Sequence, residues 1–103
     1  MEYINLQYPE AMAVHVPNEG KRSPFERFKF KALGGFAGMP DVMIFDPNSN
    51  RGGLAIELKV GYNKPTENQK KCLEALKMRN WATYWVNSFD KAKEIIDNYF
   101  NAL

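Results

Sequence analysis

Two short apolar runs, residues 41–45 and 54–60, predict two β-strands separated by a polar segment. That segment, residues 46–53, contains one proline, two asparagines and two glycines, which favour turns. The strands are therefore expected to pair as an antiparallel hairpin. Because side chains alternate between the faces of a strand, Glu57 and Lys59 share one face of the second strand. The other face is apolar and is expected to join the core through Leu54, Ile56, Leu58 and Val60.

The rest of the chain alternates between strand and helix patterns. Two further strands are predicted over residues 11–16 and 82–87, and three helices over 24–33, 66–79 and 88–103. Capping-box spacing supports the first two helices, at Ser23 with Glu26 and at Thr66 with Gln69. A hairpin followed by a helical crossover to another strand predicts an α/β fold, with a mixed sheet of about four strands and helices on both faces.

Length and composition are those of one soluble globular domain, predicted to span residues 1–103, with 45% hydrophobic and 25% charged residues. No run approaches the ~18 apolar residues of a membrane span, and the first residues lack the basic region of a signal peptide. One cysteine fits a reducing cytoplasm. One cysteine and one histidine also argue against a zinc site, whereas a hard metal bound by oxygen ligands remains open.

The net charge of the chain is only +2, but residues 21–31 hold five basic residues and one acidic residue. Such a cluster suggests contact with phosphates, and a solvated helix face explains it equally well. The candidate nucleic-acid-binding residues are Lys21, Arg22, Arg27 and Lys31, together with Lys64 in a later loop.

Asp41 and Glu57 are the candidate metal ligands. If they meet across the hairpin, their repulsion must be relieved by a cation, and Mg²⁺ or Mn²⁺ does so with oxygen ligands. The backbone carbonyl of Leu58 is a natural further ligand, and Lys59 can orient a water or stabilise negative charge, as phosphodiester hydrolysis requires. The competing interpretations are a salt bridge for Glu57 and Lys59 and a turn role for Asp41. Together, the residues favour the site.

Gln69 is a further candidate, because it lies on the apolar side of its predicted helix with Cys72, Leu73 and Leu76. An active-site role explains a glutamine there. Its competing role is the third helical position of the capping box, which needs no active site.

Three motifs in order, Gly38-Met39-Pro40-Asp41, Glu57-Leu58-Lys59 and the helix start Thr66-Glu67-Asn68-Gln69, resemble the VRR-NUC branch of the PD-(D/E)XK nuclease superfamily. The segment 16–23 also resembles that branch's Pro-Asn-Gly-Gly-x-Arg segment, with Glu19 in place of the first glycine. The resemblance runs from about residue 14 to residue 100.

The resemblance implies a restriction-endonuclease-like fold and a metal-dependent DNA nuclease. It implies that Asp41 and Glu57 hold the metal, that Lys59 is the catalytic lysine and that Gln69 supports the site. Small members from bacteria and phages are similar to Holliday-junction resolvases, so a homodimer acting on branched DNA, in a bacterial or phage-infected cell, is expected. The family usually opens with a helix whose glutamate reaches the site. Here Glu2, Glu10 or no residue takes that position.

The sequence therefore predicts a Mg²⁺- or Mn²⁺-dependent DNA endonuclease. Two alternatives remain: a DNA-binding module that does not cut, and a partner-dependent module of a repair, recombination or phage assembly. Intact Asp41, Glu57 and Lys59 argue against the first, because binding alone does not need them.

Overall fold

The computed structural model describes residues 1–16 and 38–102, which form a four-stranded mixed sheet flanked by three helices. In chain order the elements are α1 (Glu2–Gln7), β1 (Ala13–His15), β2 (Val42–Ile44), β3 (Gly53–Leu58), α2 (Glu67–Lys77), β4 (Trp81–Val86) and α3 (Phe89–Asn101). The predicted α/β class is confirmed. The predicted helix over 24–33 lies outside the described residues. No helix in the described part is long and apolar enough to cross a membrane.

The sheet has the strand order β1-β2-β3-β4, with the first three strands antiparallel and β4 parallel to β3. The predicted hairpin is therefore present as β2 and β3. Its register pairs Val42 with Ile56 and Ile44 with Leu54. Residues paired in this way point to the same face, so these four side chains enter the core together.

The core lies on the face of the sheet that α1 and α3 cover. It joins apolar side chains of β2, β3 and β4 to those of the two helices, namely Ile4, Val42, Ile44, Leu54, Ile56, Val86, Ala92, Ile96 and Tyr99. The other face carries Ala55 and Glu57 and packs against α2. β3 is thus buried on both sides, as is usual for a strand with a parallel neighbour.

The expected core positions Leu58 and Val60 are exposed, with 40% and 81% of their surface accessible to solvent. β3 ends at Leu58, opposite the last residue of β4, Val86. Beyond this point the chain has left the sheet and the helices that cover it. The prediction that the apolar face continues to residue 60 was therefore wrong.

The N-terminal helix α1 is fastened to α3 by two tyrosines that share one carboxylate. Tyr3 and Tyr8 donate hydrogen bonds to Asp97 over 2.7 and 2.6 Å, and the Tyr8 ring stacks on Phe100 with 4.1 Å between centroids. The Tyr8 and Tyr3 hydroxyls lower the pKa of Asp97, and Asp97 in turn raises the pKa of Tyr8 to about 12. α1 therefore stays on the core face.

Gly53 and Trp81 pair across β3 and β4, and the indole ring lies directly over the glycine. A Cβ atom on Gly53 would lie 2.5 Å from the ring of Trp81, which also meets Phe45 edge-on at 5.2 Å between centroids. A rigid ring held on two sides cannot yield to a methyl group. The adjacent Gly52 is different, because a Cβ atom there would come no closer than 3.8 Å to its nearest neighbour, the Asn80 carbonyl oxygen.

We expect Gly53→Ala to lower the free energy of unfolding by about 1–3 kcal/mol, because the added methyl overpacks the site. Gly52→Ala is the matched control and is expected to stay within ~0.5 kcal/mol of the wild type. Urea denaturation of both variants measures the difference. Equal stability of the two variants would contradict the described packing of Trp81.

Candidate active site

The register of the hairpin brings Asp41 and Glu57 together. Extending the pairing of Val42 with Ile56 by one residue puts Asp41 opposite Glu57, on the face that packs against α2. Asp41 is held at this position from two sides. Its Oδ2 atom accepts a hydrogen bond of 2.7 Å from the Leu58 N–H, and its carbonyl oxygen accepts one of 2.8 Å from the Val16 N–H.

Glu57 is a buried carboxylate with incomplete hydrogen bonding. Only 3% of its surface is exposed, and its Oε1 accepts a hydrogen bond of 3.3 Å from Gln69. Its Oε2 is buried and has no hydrogen-bond partner among the described residues. Burial and the nearby Asp41 charge raise the pKa of Glu57 to about 8, whereas the nearby Lys59 charge lowers it. The two carboxyl groups therefore compete for one proton or one cation.

Lys59 lies at the rim of this pair, one residue beyond the end of β3. Its N–H donates a hydrogen bond of 2.8 Å to the Val86 carbonyl, which ties its backbone to the end of β4. Its ammonium lowers the pKa of Glu57, so it acts on that carboxylate from nearby. Among residues 1–16 and 38–102 the only ion pair joins Lys70 to Glu67, so Lys59 is not tied to a carboxylate there.

Gln69 forms the predicted capping box and also contacts Glu57. Its Oε1 accepts a hydrogen bond of 2.8 Å from the Thr66 N–H, and its own N–H donates one of 3.2 Å to the Thr66 hydroxyl. This is the predicted capping box. The side-chain nitrogen of Gln69, Nε2, donates a hydrogen bond to Glu57 Oε1. The start of α2 and the orientation of Glu57 are therefore set by a single side chain.

Gly38 holds the segment that leads to Asp41 against the start of α2. Its φ is +83°, and a Cβ atom would lie 2.6 Å from the backbone carbonyl of Asn68 and 2.8 Å from the nitrogen of Gln69. Only glycine allows both this conformation and this approach. The structural role of Gly38 was missed by sequence reasoning, although a glycine just before the Met-Pro-Asp motif was its signal.

The VRR-NUC domain model matches residues 2–90. The chain belongs to the VRR-NUC family. It is also similar to a solved structure described as a VRR_NUC domain protein, with 28% sequence identity and a TM-score of 0.75 over 87% of this chain and 68% of that chain. A comparison with curated proteins gives no match. VRR-NUC is a nuclease domain, which indicates a nuclease that acts on DNA.

The residues of this VRR-NUC domain fit a divalent cation. Asp41 and Glu57 are opposed carboxylates, and no donor among the described residues occupies the place beside the buried Glu57 Oε2 that a cation can take. Such hard oxygen ligands suit Mg²⁺ or Mn²⁺, which commonly bind one or two carboxylates and take further oxygens from water and phosphate. The Leu58 carbonyl remains a predicted third ligand.

The described part of the VRR-NUC domain has no third carboxylate at this site. It contains no group of three or more His, Cys, Asp or Glu side chains that could hold a metal. Neither Glu2 nor Glu10 therefore joins Asp41 and Glu57, although the opening helix is present as α1.

Of the predicted nucleic-acid-binding residues, one is described. Lys64 is exposed in the loop that connects β3 to α2, near Lys59 in the chain. The others, Lys21, Arg22, Arg27 and Lys31, lie outside the described residues, and their role stays a prediction.

The raised pKa of Glu57 predicts how stability changes with pH in metal-free buffer. The folded protein holds the Glu57 proton up to about pH 8, whereas the ordinary glutamate pKa is 4.5. The folded state therefore binds the extra proton between these values, and its stability falls as the pH rises from 4.5 to 8. Above pH 8 Glu57 is charged, and the cost of burying its charge beside Asp41 remains.

We expect Glu57→Gln to remove the loss of stability with rising pH and to be more stable than the wild type at pH 8. Its amide can still accept from Gln69 and can donate to Asp41. Urea denaturation in EDTA at about pH 5, 6.5 and 8 measures both effects, with the exposed Glu74→Gln as the matched control. If the free energies of unfolding of the wild type and of Glu57→Gln changed in parallel with pH, the described environment of Glu57 would be contradicted.

Proposed function

We propose that this VRR-NUC domain is a Mg²⁺- or Mn²⁺-dependent DNA endonuclease that hydrolyses phosphodiester bonds. The observation that carries the proposal is the opposed pair of Asp41 and Glu57, with one buried Glu57 oxygen that no donor in the described part of the chain satisfies. A fold that buries Glu57 beside a second carboxylate is poorly explained by DNA binding alone. Asp41, Glu57 and the Leu58 carbonyl are proposed to hold the metal.

The chain's own groups have distinct tasks in this mechanism. A bound divalent ion polarises the scissile phosphate and makes a water molecule more acidic. Gln69 orients Glu57 by donating to Oε1, which leaves Oε2 for the cation. Lys59 is proposed to orient the attacking water or to stabilise the negative charge that develops on the phosphate. The Leu58 N–H fixes Asp41 through its Oδ2 atom.

The basic residues of the chain are proposed to contact the DNA. Lys64 lies in the loop that begins at Lys59, so a strand that reaches the site can meet both ammonium groups. The remaining proposed phosphate contacts are Lys21, Arg22, Arg27 and Lys31. Phosphate contacts of this kind position DNA without reading its sequence.

Cleavage is expected to require the metal and the three central side chains. Purified protein is expected to nick a synthetic four-way junction in Mg²⁺ or Mn²⁺ and not in EDTA. Asp41→Asn, Glu57→Gln and Lys59→Ala should each lower the cleavage rate by about 100-fold or more while DNA binding persists. Glu74→Gln and Lys77→Ala, exposed substitutions of the same types on α2, should cleave like the wild type.

The same assay separates the alternatives. Retained cleavage in both Asp41→Asn and Glu57→Gln would contradict the proposed site. Normal DNA binding without cleavage in any metal would instead favour a module that is non-catalytic or needs a partner protein. A matched linear duplex, cut as fast as the junction, would remove the preference for branched DNA but keep the nuclease.

We further propose that the active form is a homodimer specific for branched DNA, like a Holliday-junction resolvase. The described part of one chain offers one pair of opposed carboxylates, so symmetric cutting of two strands needs two copies, which a two-fold axis provides. β4 supports this proposal, because Tyr84 and Trp85 leave 45% and 43% of their surface exposed on it. Within the described sheet, β4 has a strand neighbour only on the β3 side.

Light scattering after size exclusion is expected to give the mass of two chains. A Tyr84→Ser/Trp85→Ser double variant should shift this mass toward one chain and abolish symmetric junction cleavage, with circular dichroism to verify folding. Leu6→Ser, which alters an exposed apolar residue on α1, is the matched control and should leave the mass unchanged. A wild type with the mass of one chain at micromolar concentration would contradict the homodimer.

A further inference from the structure

The loop between β3 and α2 presents an unusual pair of apolar side chains to solvent. Tyr62 is fully exposed, and Val60 exposes 81% of its surface. Large apolar residues are often partly exposed in soluble proteins, but a tyrosine that no described residue covers, beside an exposed valine, is informative. It gives the loop a surface suited to contact with another molecule.

The tip of this loop is held in place. The Asn63 N–H donates a hydrogen bond of 3.2 Å to the Val60 carbonyl, which closes a turn around Tyr62. The Asn87 side chain donates one of 3.4 Å to the Gly61 carbonyl and ties the turn to the end of β4. Pro65, at the other end of the loop, is buried. A contact made by Tyr62 therefore requires little ordering of the backbone.

Both ends of the loop are residues of the candidate active site. It starts at Lys59, two residues after Glu57, and it ends where Thr66 and Gln69 open α2. Tyr62 is therefore three residues from the proposed catalytic lysine.

The charge of the loop indicates the chemistry of its partner. Lys59 and Lys64 flank the tip, and there is no acidic residue between Glu57 and Glu67. Two ammonium groups with an exposed aromatic ring between them fit a strand of nucleic acid, whose phosphates bind the lysines and whose bases stack on the ring. In a duplex both faces of each base are already stacked, so only an unpaired or splayed base offers a free face.

We propose that Tyr62 stacks on an unpaired base next to the scissile phosphate and so favours branched, frayed or single-stranded DNA over plain duplex. The inference rests on the proposed function, because it assumes that DNA reaches this site. Tyr62 is a positioning residue in this scheme, since it holds the strand and does not contact the reacting atoms.

The test measures binding in an Asp41→Asn background, so that cleavage cannot interfere. The probes are a four-way junction with 2-aminopurine at the branch point, a single strand and a linear duplex. Tyr62→Ala is expected to weaken binding to the junction and the single strand by about 10- to 100-fold, and to remove the quenching of 2-aminopurine. Duplex binding should change less than about twofold, since its bases offer no free face.

Two controls accompany this variant. Tyr62→Phe retains the ring and should keep both the affinity and the quenching. Met78→Ala alters a similarly exposed apolar side chain after the other end of α2 and should match the Asp41→Asn parent. Because the Tyr62 side chain is fully exposed in the described structure, the melting temperature of Tyr62→Ala should equal that of the parent.

Unchanged junction binding and quenching in Tyr62→Ala would overturn the inference. An equal loss of affinity on junction and duplex would also overturn it, because the ring would then contact the backbone and not a base. Tyr62-dependent quenching together with a wild type that cuts no DNA would uphold the inference while contradicting the proposed nuclease. A wild type that cuts DNA, together with binding that does not depend on Tyr62, would uphold the proposed nuclease and contradict the inference.

Discussion

The register between β2 and β3 is the constraint on which the rest of the structure depends. It pairs Val42 with Ile56 on the core face and, one residue further, puts Asp41 opposite Glu57 on the other face. A slip by one residue would move every side chain of β3 to the wrong face. The apolar core therefore holds in place two carboxyl groups that would otherwise separate.

Holding the two carboxyl groups together costs free energy, and the hydrogen bonds around them offset only part of this cost. Asp41 accepts from the Leu58 N–H, and Glu57 accepts from Gln69, but one buried oxygen of Glu57 is left without a donor among the described residues. A buried polar atom without a hydrogen-bond partner typically costs on the order of 1–3 kcal/mol. The site destabilises the folded state, and packing in the core on the opposite face must offset this. A rigid scaffold usually stands in this relation to a binding site for a cation.

Much of this arrangement could be predicted from the sequence, because its signals are local. A turn-rich segment between two apolar runs was enough to predict the hairpin, and the spacing of Thr66 and Gln69 was enough to predict the capped start of α2. Periodicity then put Glu57 on the face away from the core. The features that could not be predicted depend on contacts between distant parts of the chain. The exposure of Leu58 and Val60 follows from where β4 ends, and no pattern within β3 reveals the length of its neighbour. The close approach of Gly38 to α2 likewise becomes visible only when the helix is in place.

The shared use of Gln69 has a consequence for how this site can change over evolution. A glutamate is as suitable as a glutamine at the third position of a capping box, and the two codons differ by a single nucleotide. Such a change would leave the start of α2 intact, remove the donor to Glu57 and add a third carboxylate beside the pair. The number of acidic ligands, and with it the choice of cation, is thus open to a single mutational step that the helix itself would tolerate.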